Sequence, residues 1–431
     1  MKLLLKNGRV VDPANSIDKV MDVLIDQGKI ALVQESVDVS EIDRVIDLTG
    51  KIVAPGLIDM HVHLRDPGFE YKEDIVSGTQ AAVVGGFTSV ACMPNTNPVM
   101  DSRAIVEYVV EKAKREAKAN VFPIAAVTKG SKGEEITEMG DMKQAGAVAF
   151  SDDGLPIMNA EVMRCAMEYA AMIGAPILDH CEDKNLAAGG AMNLGLVSTI
   201  MGIKGIPAAA EEVQVARDVV LAKMTGAHVH ICHVSTAGSV DILRWAKSDG
   251  VRVTAEAAPH HFGATDELVR ELAYDTSTKV NPPLRSQQDV RAIRQGLKDG
   301  TIDAIATDHA PHHKNDKDVE YIYAASGISG IETAVSFVFT KLVNEGVLSL
   351  AQAIAKLSVE PARILGLDRG SLTPGSAADV TVIDPEADVI VRPENFVSKG
   401  KNSPFGGWRL RARPVLTVVG GNIRFEYADQ N

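Results

Sequence analysis

His61 and His63 lie two positions apart in the run GLIDMHVHLR. In an extended strand that spacing sends both imidazoles to one side, where they can share a metal ion. Further groups of the same kind follow other apolar runs. Ser151-Asp152-Asp153-Gly154 follows GAVAF, and Asp179-His180 closes APILDH. His233 follows HVHIC, and Asp308-His309 follows IDAIAT, with Pro311-His312-His313 close behind. Nitrogen and oxygen donors suit Zn2+, with Mn2+ or Co2+ as substitutes. Thiolate ligation is not suggested, because Cys92, Cys165, Cys181 and Cys232 are widely spaced and form no C-x-x-C pair. Four histidines (His61, His63, His180, His233) and two aspartates exceed one tetrahedral site and point to two metals sharing a bridge. Two divalent ions set against two carboxylates and a hydroxide leave net positive charge, which favours an anionic tetrahedral intermediate. Asp308 ends a run of small apolar residues, where a carboxylate is costly unless it meets a cation. It reads as a ligand that also moves a proton. Asp152 and Asp153 compete for a ligand role, against an Asx-type turn before Gly154.

These groups need a scaffold that gathers distant segments at one rim. From Pro55 to about Gly366, eight apolar runs alternate with helical stretches such as 101–118: GLIDMHVH, FTSVACM, VFPIAAV, GAVAFSD, APILDHC, HVHICHV, VRVTAEA and IDAIATD. That alternation predicts an α/β fold, a (β/α)8 TIM-like barrel, whose chemistry sits at the C-terminal ends of the strands. The histidines and aspartates fall there. No Gly-rich dinucleotide or phosphate loop follows any run. Alternation along HVHICHV puts His233 with Val229 and Ile231 on an inward face. His228 and His230 then face the helices as structural residues, and His260 and His261 read as loop residues. The two ends of the chain are instead short β-rich runs cut by Gly, Pro and Asp turns. Neither set alone is large enough to bury a core. They predict one small β-sandwich domain built from both termini, residues 1–54 and 367–431, flanking a metal-dependent barrel over 55–366.

The 431 residues are 45% hydrophobic and 23% charged, which excludes disorder as the main state. No apolar run reaches the ~18 residues of a membrane span, and the opening MKLLLKNGRV lacks a signal peptide's apolar core. The expectation is a soluble, cytoplasmic protein. A net charge of −13 argues against nucleic acid as the main partner.

The motifs H-V-H-L-R, M-P-N-T-N-P, F-S-D-D-G, D-H-C-E-D, C-H-V-S-T, V-N-P-P-L-R and A-T-D-H-A-P-H together resemble the amidohydrolase superfamily. Within it the chain is most similar to the long, β-domain-bearing bacterial dihydroorotases, over nearly its whole length. The resemblance implies reversible cyclisation of N-carbamoyl-L-aspartate to L-dihydroorotate with loss of water, in pyrimidine (UMP) biosynthesis. It assigns His61 and His63 to a first zinc ion, His180 and His233 to a second, and a bridge to Asp153. Asp308 becomes a first-metal ligand and the catalytic acid/base, acting on a metal-bound hydroxide nucleophile. His63, Arg65, Asn95, Asn281 and His312 would hold the substrate, with backbone at Ser326 and Gly327. Many relatives bridge their metals with a carboxylated lysine, but no lysine occurs between Gly146 and Gly154 here, and Asp153 carries the same single charge. Ala325-Ser326-Gly327 stands where the family often has Pro-Phe-Gly. The resemblance also implies a homodimer and association with aspartate transcarbamoylase.

Arg65, next to the metal histidines, argues for a substrate with a free carboxylate and against the alternative of a hydantoinase-like cyclic amidase. A metal-free structural barrel would be expected to lack some of the six ligands, and all are present. The polar stretch 310–327 (APHHKNDKDVEYIYAASG) reads as a lid that brings His312 over the substrate, with Gly327 and Gly330 as hinges.

Overall fold

A computed structural model describes residues 2–428. The eight apolar runs form the eight parallel strands of a barrel: Leu57–Val62, Phe87–Cys92, Asn120–Ala125, Ala149–Phe150, Ile177–Asp179, Val229–Ile231, Val253–Ala257 and Ala304–Ile305. Each is apolar on both faces because one side meets the barrel interior and the other the surrounding helices. The helix Arg103–Glu116 shows the complementary pattern, burying Val106 and Val109 and turning its charges outward. The ring closes between its first and last strands. Val62 bridges His309 in parallel register, and the His63 N–H donates to the His309 carbonyl at 2.9 Å. Below that seam the buried Asp59 carboxylate accepts from the Thr307 N–H at 3.0 Å and the Thr307 hydroxyl at 2.5 Å.

The interior is filled by Met60, Ala91, Met93, Ile124, Ala149, Leu178, Cys232, Ala304 and Ala306, with Ile364 and Leu365 joining the same cluster. This overturns one expectation. Val229 and Ile231 belong to the cluster packed against the helices, while Cys232 is inside the barrel and the buried His230 meets Glu256 there. His233 nevertheless reaches the site, because its backbone is left-handed (φ 32°) and breaks the strand's alternation.

Both termini build the second unit, one mixed eight-stranded sheet. Leu3–Asp12, Ile17–Asp26, Lys29–Gln34, Arg44–Asp47 and Ile52–Pro55 come from the N-terminal end, and Val380–Ile390, Arg409–Val419 and Asn422–Glu426 from the C-terminal end. The two sets meet where Ile52–Pro55 pairs antiparallel with Val380–Ile390. Leu3, Val23, Val53, Val380 and Leu416 share its apolar core, which neither end could form alone. Among the described residues no helix is long and apolar enough to cross a membrane.

Gly56 is the joint between this sheet and the first barrel strand. Its N–H donates to the Asp379 carbonyl at 2.8 Å, and a Cβ there would stand 2.2 Å from Thr88 Oγ1 and 2.8 Å from Asp379 Cβ. Gly56→Ala should therefore overpack the joint and cost about 1–3 kcal/mol, read as a lower midpoint in chemical denaturation. An unchanged midpoint would show that the two units yield freely at this point.

Candidate metal centre and active site

The strand ends deliver the expected residues to one recess at the C-terminal mouth of the barrel. His63, Arg65, Asn95, Asp153, His180, His233, Asn281, Asp308, His312, Ser326 and Gly327 line a cavity of about 230 Å³, room for a small ring and not for a polymer or a dinucleotide. His61 is fully buried beside it. Arg65, His233 and Asp308 all have positive φ (59°, 32° and 47°). Such strained backbone on non-glycine residues gathers at functional sites, where the surrounding fold enforces it.

The imidazoles and carboxylates crowd together with few hydrogen bonds to explain them. His61 Nε2 lies 3.4 Å from Asp153 Oδ1 and 3.5 Å from Asp308 Oδ1, and His63 Nε2 lies 3.1 Å from Asp308 Oδ1. His180 Nδ1 is 2.9 Å from His233 Nε2, and each stands 3.8 Å from Asp153 Oδ1. Asp153 is thus set between the two histidine pairs. His61, His63 and Asp308 form one tight group of donors, and His61, Asp153 and His233 another. His61 Nε2 and Asp153 Oδ1 face each other, buried and without hydrogen-bond partners. Unpartnered donors of this kind fit a divalent cation between them. Burial works to raise the Asp153 carboxyl, but His61 and His233 overcome it and hold it well below its ordinary range. Asp308 is lowered in the same way, with His63 and His61 outweighing its burial.

Asp152 has different work. It accepts from the Val127 N–H at 2.8 Å, the Thr128 N–H at 3.0 Å and the Thr128 hydroxyl, so it ties the neighbouring strand exit and has no free oxygen for the recess. His228 and His230 share Thr254 Oγ1 as a partner. His261 Nε2 donates to the Pro282 carbonyl at 3.0 Å, bracing the segment that carries Asn281. His260 is buried next to His261.

On the outer side of the recess, Arg65 Nε–H donates to the Pro311 carbonyl at 3.3 Å, and its Nη2 lies 3.3 Å from His312 Nε2 without a hydrogen bond, since both carry hydrogen. No carboxylate pairs with it among the described residues. Burial pushes its guanidinium below the ordinary value. Burial, with Arg65, Lys317 and Lys72 nearby, also drives His312 down to about 2, so its ring is neutral. Its Nε2–H donates to the Ser326 carbonyl at 2.9 Å. Asn95 faces the recess but also braces it, with Oδ1 on His63 Nδ1 at 2.9 Å and Nδ2 on Asp153 Oδ2 at 3.4 Å. Asn281 Nδ2 is 3.4 Å from His180 Nε2. Gly327 lines the recess, where its N–H donates to the Lys279 carbonyl and its carbonyl accepts from Asn402 Nδ2, each at 2.9 Å. A Cβ on Gly327 would come within 2.7 Å of Ala310.

Sequence reasoning missed the residues that hold this wall. Asn402, from the C-terminal segment, accepts from the His312 N–H at 2.9 Å and donates to the Ala310 carbonyl at 3.0 Å. Lys317 Nζ donates to the carbonyls of Thr276, Lys279 and Ala325 at 3.0, 3.3 and 2.7 Å. The stretch 310–327 is thereby fastened over the recess, with Gly327 part of the fastening. Glu256, beside His61, was missed too, although a lone carboxylate in the strand VRVTAEA was a visible sign of it.

Comparison with known proteins agrees with this geometry. The family described as dihydro-orotase-like matches residues 50–239, and the amidohydrolase family matches residues 278–425. A dihydroorotase of Pelotomaculum thermopropionicum is 59% identical, covering 98% of each chain. One of Syntrophus aciditrophicus is 54% identical, covering 99% of this chain and 100% of its own. Among solved structures, the L-hydantoinase (dihydropyrimidinase) of Arthrobacter aurescens superposes with a TM-score of 0.89 at 27% identity, covering 99% of this chain and 96% of that one. A D-hydantoinase (dihydropyrimidinase) of Thermus sp. shares the fold, with a TM-score of 0.83 at 24% identity and coverage of 98% and 95%. With its strand-end histidines and full-length relatives of that name, the chain belongs to the dihydroorotase family of the amidohydrolases.

Proposed function

We propose that this chain catalyses the reversible cyclisation of N-carbamoyl-L-aspartate to L-dihydroorotate and water, a step of pyrimidine biosynthesis, with zinc held by the strand-end residues. One observation carries the reading: a mostly buried arginine without a carboxylate partner opens into the same recess as the unpartnered imidazole and carboxylate donors. His61, His63 and Asp308 would hold one ion, His180 and His233 a second, with Asp153 between them. Bound there, zinc supplies a Lewis acid that polarises an amide carbonyl and lowers the pKa of water.

The residues divide the remaining work. In the ring-opening direction, Asp308 takes the proton of the attacking water on a carboxylate oxygen and returns it to the leaving ring nitrogen. Its strong depression makes it ionised in the resting site, ready to accept that proton. The Arg65 guanidinium pairs with the substrate carboxylate that its own surroundings do not supply. Neutral His312 lines the recess without adding charge and can turn its Nε2–H from the Ser326 carbonyl to the substrate, and the Asn95 and Asn281 amides complete the polar lining. Ser326 lines the same recess, where its backbone N–H would be a further donor for the substrate. The wall over 310–327 keeps bulk water away from the reacting carbonyl. We further propose a cytoplasmic homodimer that associates with aspartate transcarbamoylase, a reading that rests on family membership.

Metal analysis paired with a dihydroorotate assay tests the central claim. His61→Ala or His63→Ala should abolish turnover and lower bound zinc while the barrel stays folded; full activity after exhaustive chelation would refute it. Arg65→Met should cost about 1.5–3 kcal/mol of transition-state binding on dihydroorotate and far less on a neutral cyclic amide. Equal losses on both would remove Arg65 from the carboxylate site. His312→Ala should impair turnover and leave zinc content intact, and full activity would remove His312 from substrate binding.

A further inference from the structure

A row of hydrogen-bonded side chains runs down the inside of the barrel behind the metal centre, and the steps above leave it unused. Glu256, on the seventh strand, is 1% exposed. Its Oε1 lies 2.7 Å from His61 Nδ1 and 3.4 Å from the His233 backbone N, and its Oε2 lies 3.2 Å from His230 Nε2. His230 Nδ1 is in turn 2.9 Å from Thr254 Oγ1, which is 2.8 Å from His228 Nε2. The row ends there, at the opposite mouth of the barrel, where half-buried His228 lines a surface cavity.

Donor capacity sets the direction of every bond in the row. A carboxylate only accepts, so both ring nitrogens facing Glu256 carry hydrogen. With Nε2–H on His230, a neutral ring leaves Nδ1 as an acceptor, which the Thr254 hydroxyl fills. The hydroxyl oxygen then accepts from His228 Nε2–H. At the upper end, Nδ1–H on His61 leaves Nε2 as the nitrogen that faces Asp153 and Asp308 without a hydrogen-bond partner, and in the neutral ring that nitrogen carries the lone pair. A neutral imidazole binds a metal ion through such a lone pair. The row is also expensive to keep. The interior around it is apolar, and polar groups there are costly unless every one is satisfied.

We infer that Glu256, backed by His230 and Thr254, is a positioning residue that fixes His61 as the Nδ1–H tautomer and holds its Nε2 toward the metal site. The inference rests on the metal reading of that site. A negative charge behind the ring also raises the basicity of the ligating nitrogen, so Glu256 strengthens metal binding as well as aiming it. His230 serves Glu256 as a second donor that keeps the carboxylate pointed, and Thr254 fixes the tautomer of His230.

Zinc affinity, measured by competition with a chromogenic chelator on the full-length protein, tests this. Glu256→Gln keeps the volume and removes the charge. It should weaken zinc binding about 10–100-fold, while KM at saturating zinc stays at the wild-type value, because the substrate contacts are untouched. A purely structural Glu256 would instead lower the unfolding midpoint of the metal-free protein and leave the zinc affinity of the folded protein unchanged, and that result overturns the inference. A wild-type protein that binds no zinc overturns the metal reading itself, so the two failures are distinct. If Glu256→Gln does not fold, Thr254→Val decides. It leaves Glu256 on His61 but takes the donor from His230 Nδ1, and the inference requires weaker zinc binding than wild type. Unchanged affinity in folded Thr254→Val overturns it.

Discussion

Everything at the mouth of this barrel depends on the seam between its first and last strands. His61, His63 and Arg65 leave the first strand, and Asp308 and His312 follow the last, so partners 245 residues apart meet at 3.1 Å between His63 and Asp308. Closing so long a loop is entropically unfavourable, and no local propensity can enforce it. The seam does so through paired backbone at Val62, His63 and His309 and the Asp59–Thr307 clasp just below. The β domain reinforces the same place from outside. It binds both chain ends into one sheet, with Gly56 seating that sheet on the first barrel strand.

With closure secured, the site gathers groups that would not choose one another's company. Asp153, Asp308 and Glu256 are withdrawn from water among the imidazoles of His61, His63, His180, His230 and His233, and Arg65 pairs with no carboxylate among the described residues. Each carboxylate works against desolvation and is held ionised chiefly by neighbouring imidazoles. Such an arrangement spends folding stability to create a fixed, water-poor field before any ligand arrives. The left-handed backbones of Arg65, His233 and Asp308 belong to the same bargain, since each bends a strand exit so that its side chain enters the recess.

What could be read from the sequence follows from range. Strand runs, the two-ended β domain and the strand-end ligand types are local patterns, and the eight runs are the eight strands. Local alternation misled at His233, because periodicity assumes a regular strand and the residue sits just past the end of one. Asp152 and Asp153 could not be separated without the Val127 and Thr128 amides that occupy Asp152, and those lie a strand away. Asn402 and Lys317 were invisible for the same reason. The partners that matter here are backbone groups, which no side-chain pattern announces, and Asn402 reaches them from the far end of the chain. The inward-facing side chains Thr254, Glu256 and His230 were legible as oddities in apolar runs, yet only their mutual distances give them a role.

The same fold carries solved structures named as hydantoinases and sequence relatives named as dihydroorotases. Architecture therefore cannot select the substrate, and selection has to come from the recess. A metal ion held by these side chains would polarise any cyclic amide it is offered. Arg65 is different in kind. A ligand with a carboxylate completes its hydrogen bonds, whereas a neutral ring displaces water and leaves the guanidinium unpaired, which is a penalty as well as a missing attraction. His312 sharpens the contrast by staying neutral, so the cationic field at that wall is set by Arg65, Lys317 and Lys72 rather than diffused over the ring. On the proposed function, discrimination rests on Arg65, two positions from His63, which would couple the recognition of the carboxylate to the placement of the carbonyl that reacts.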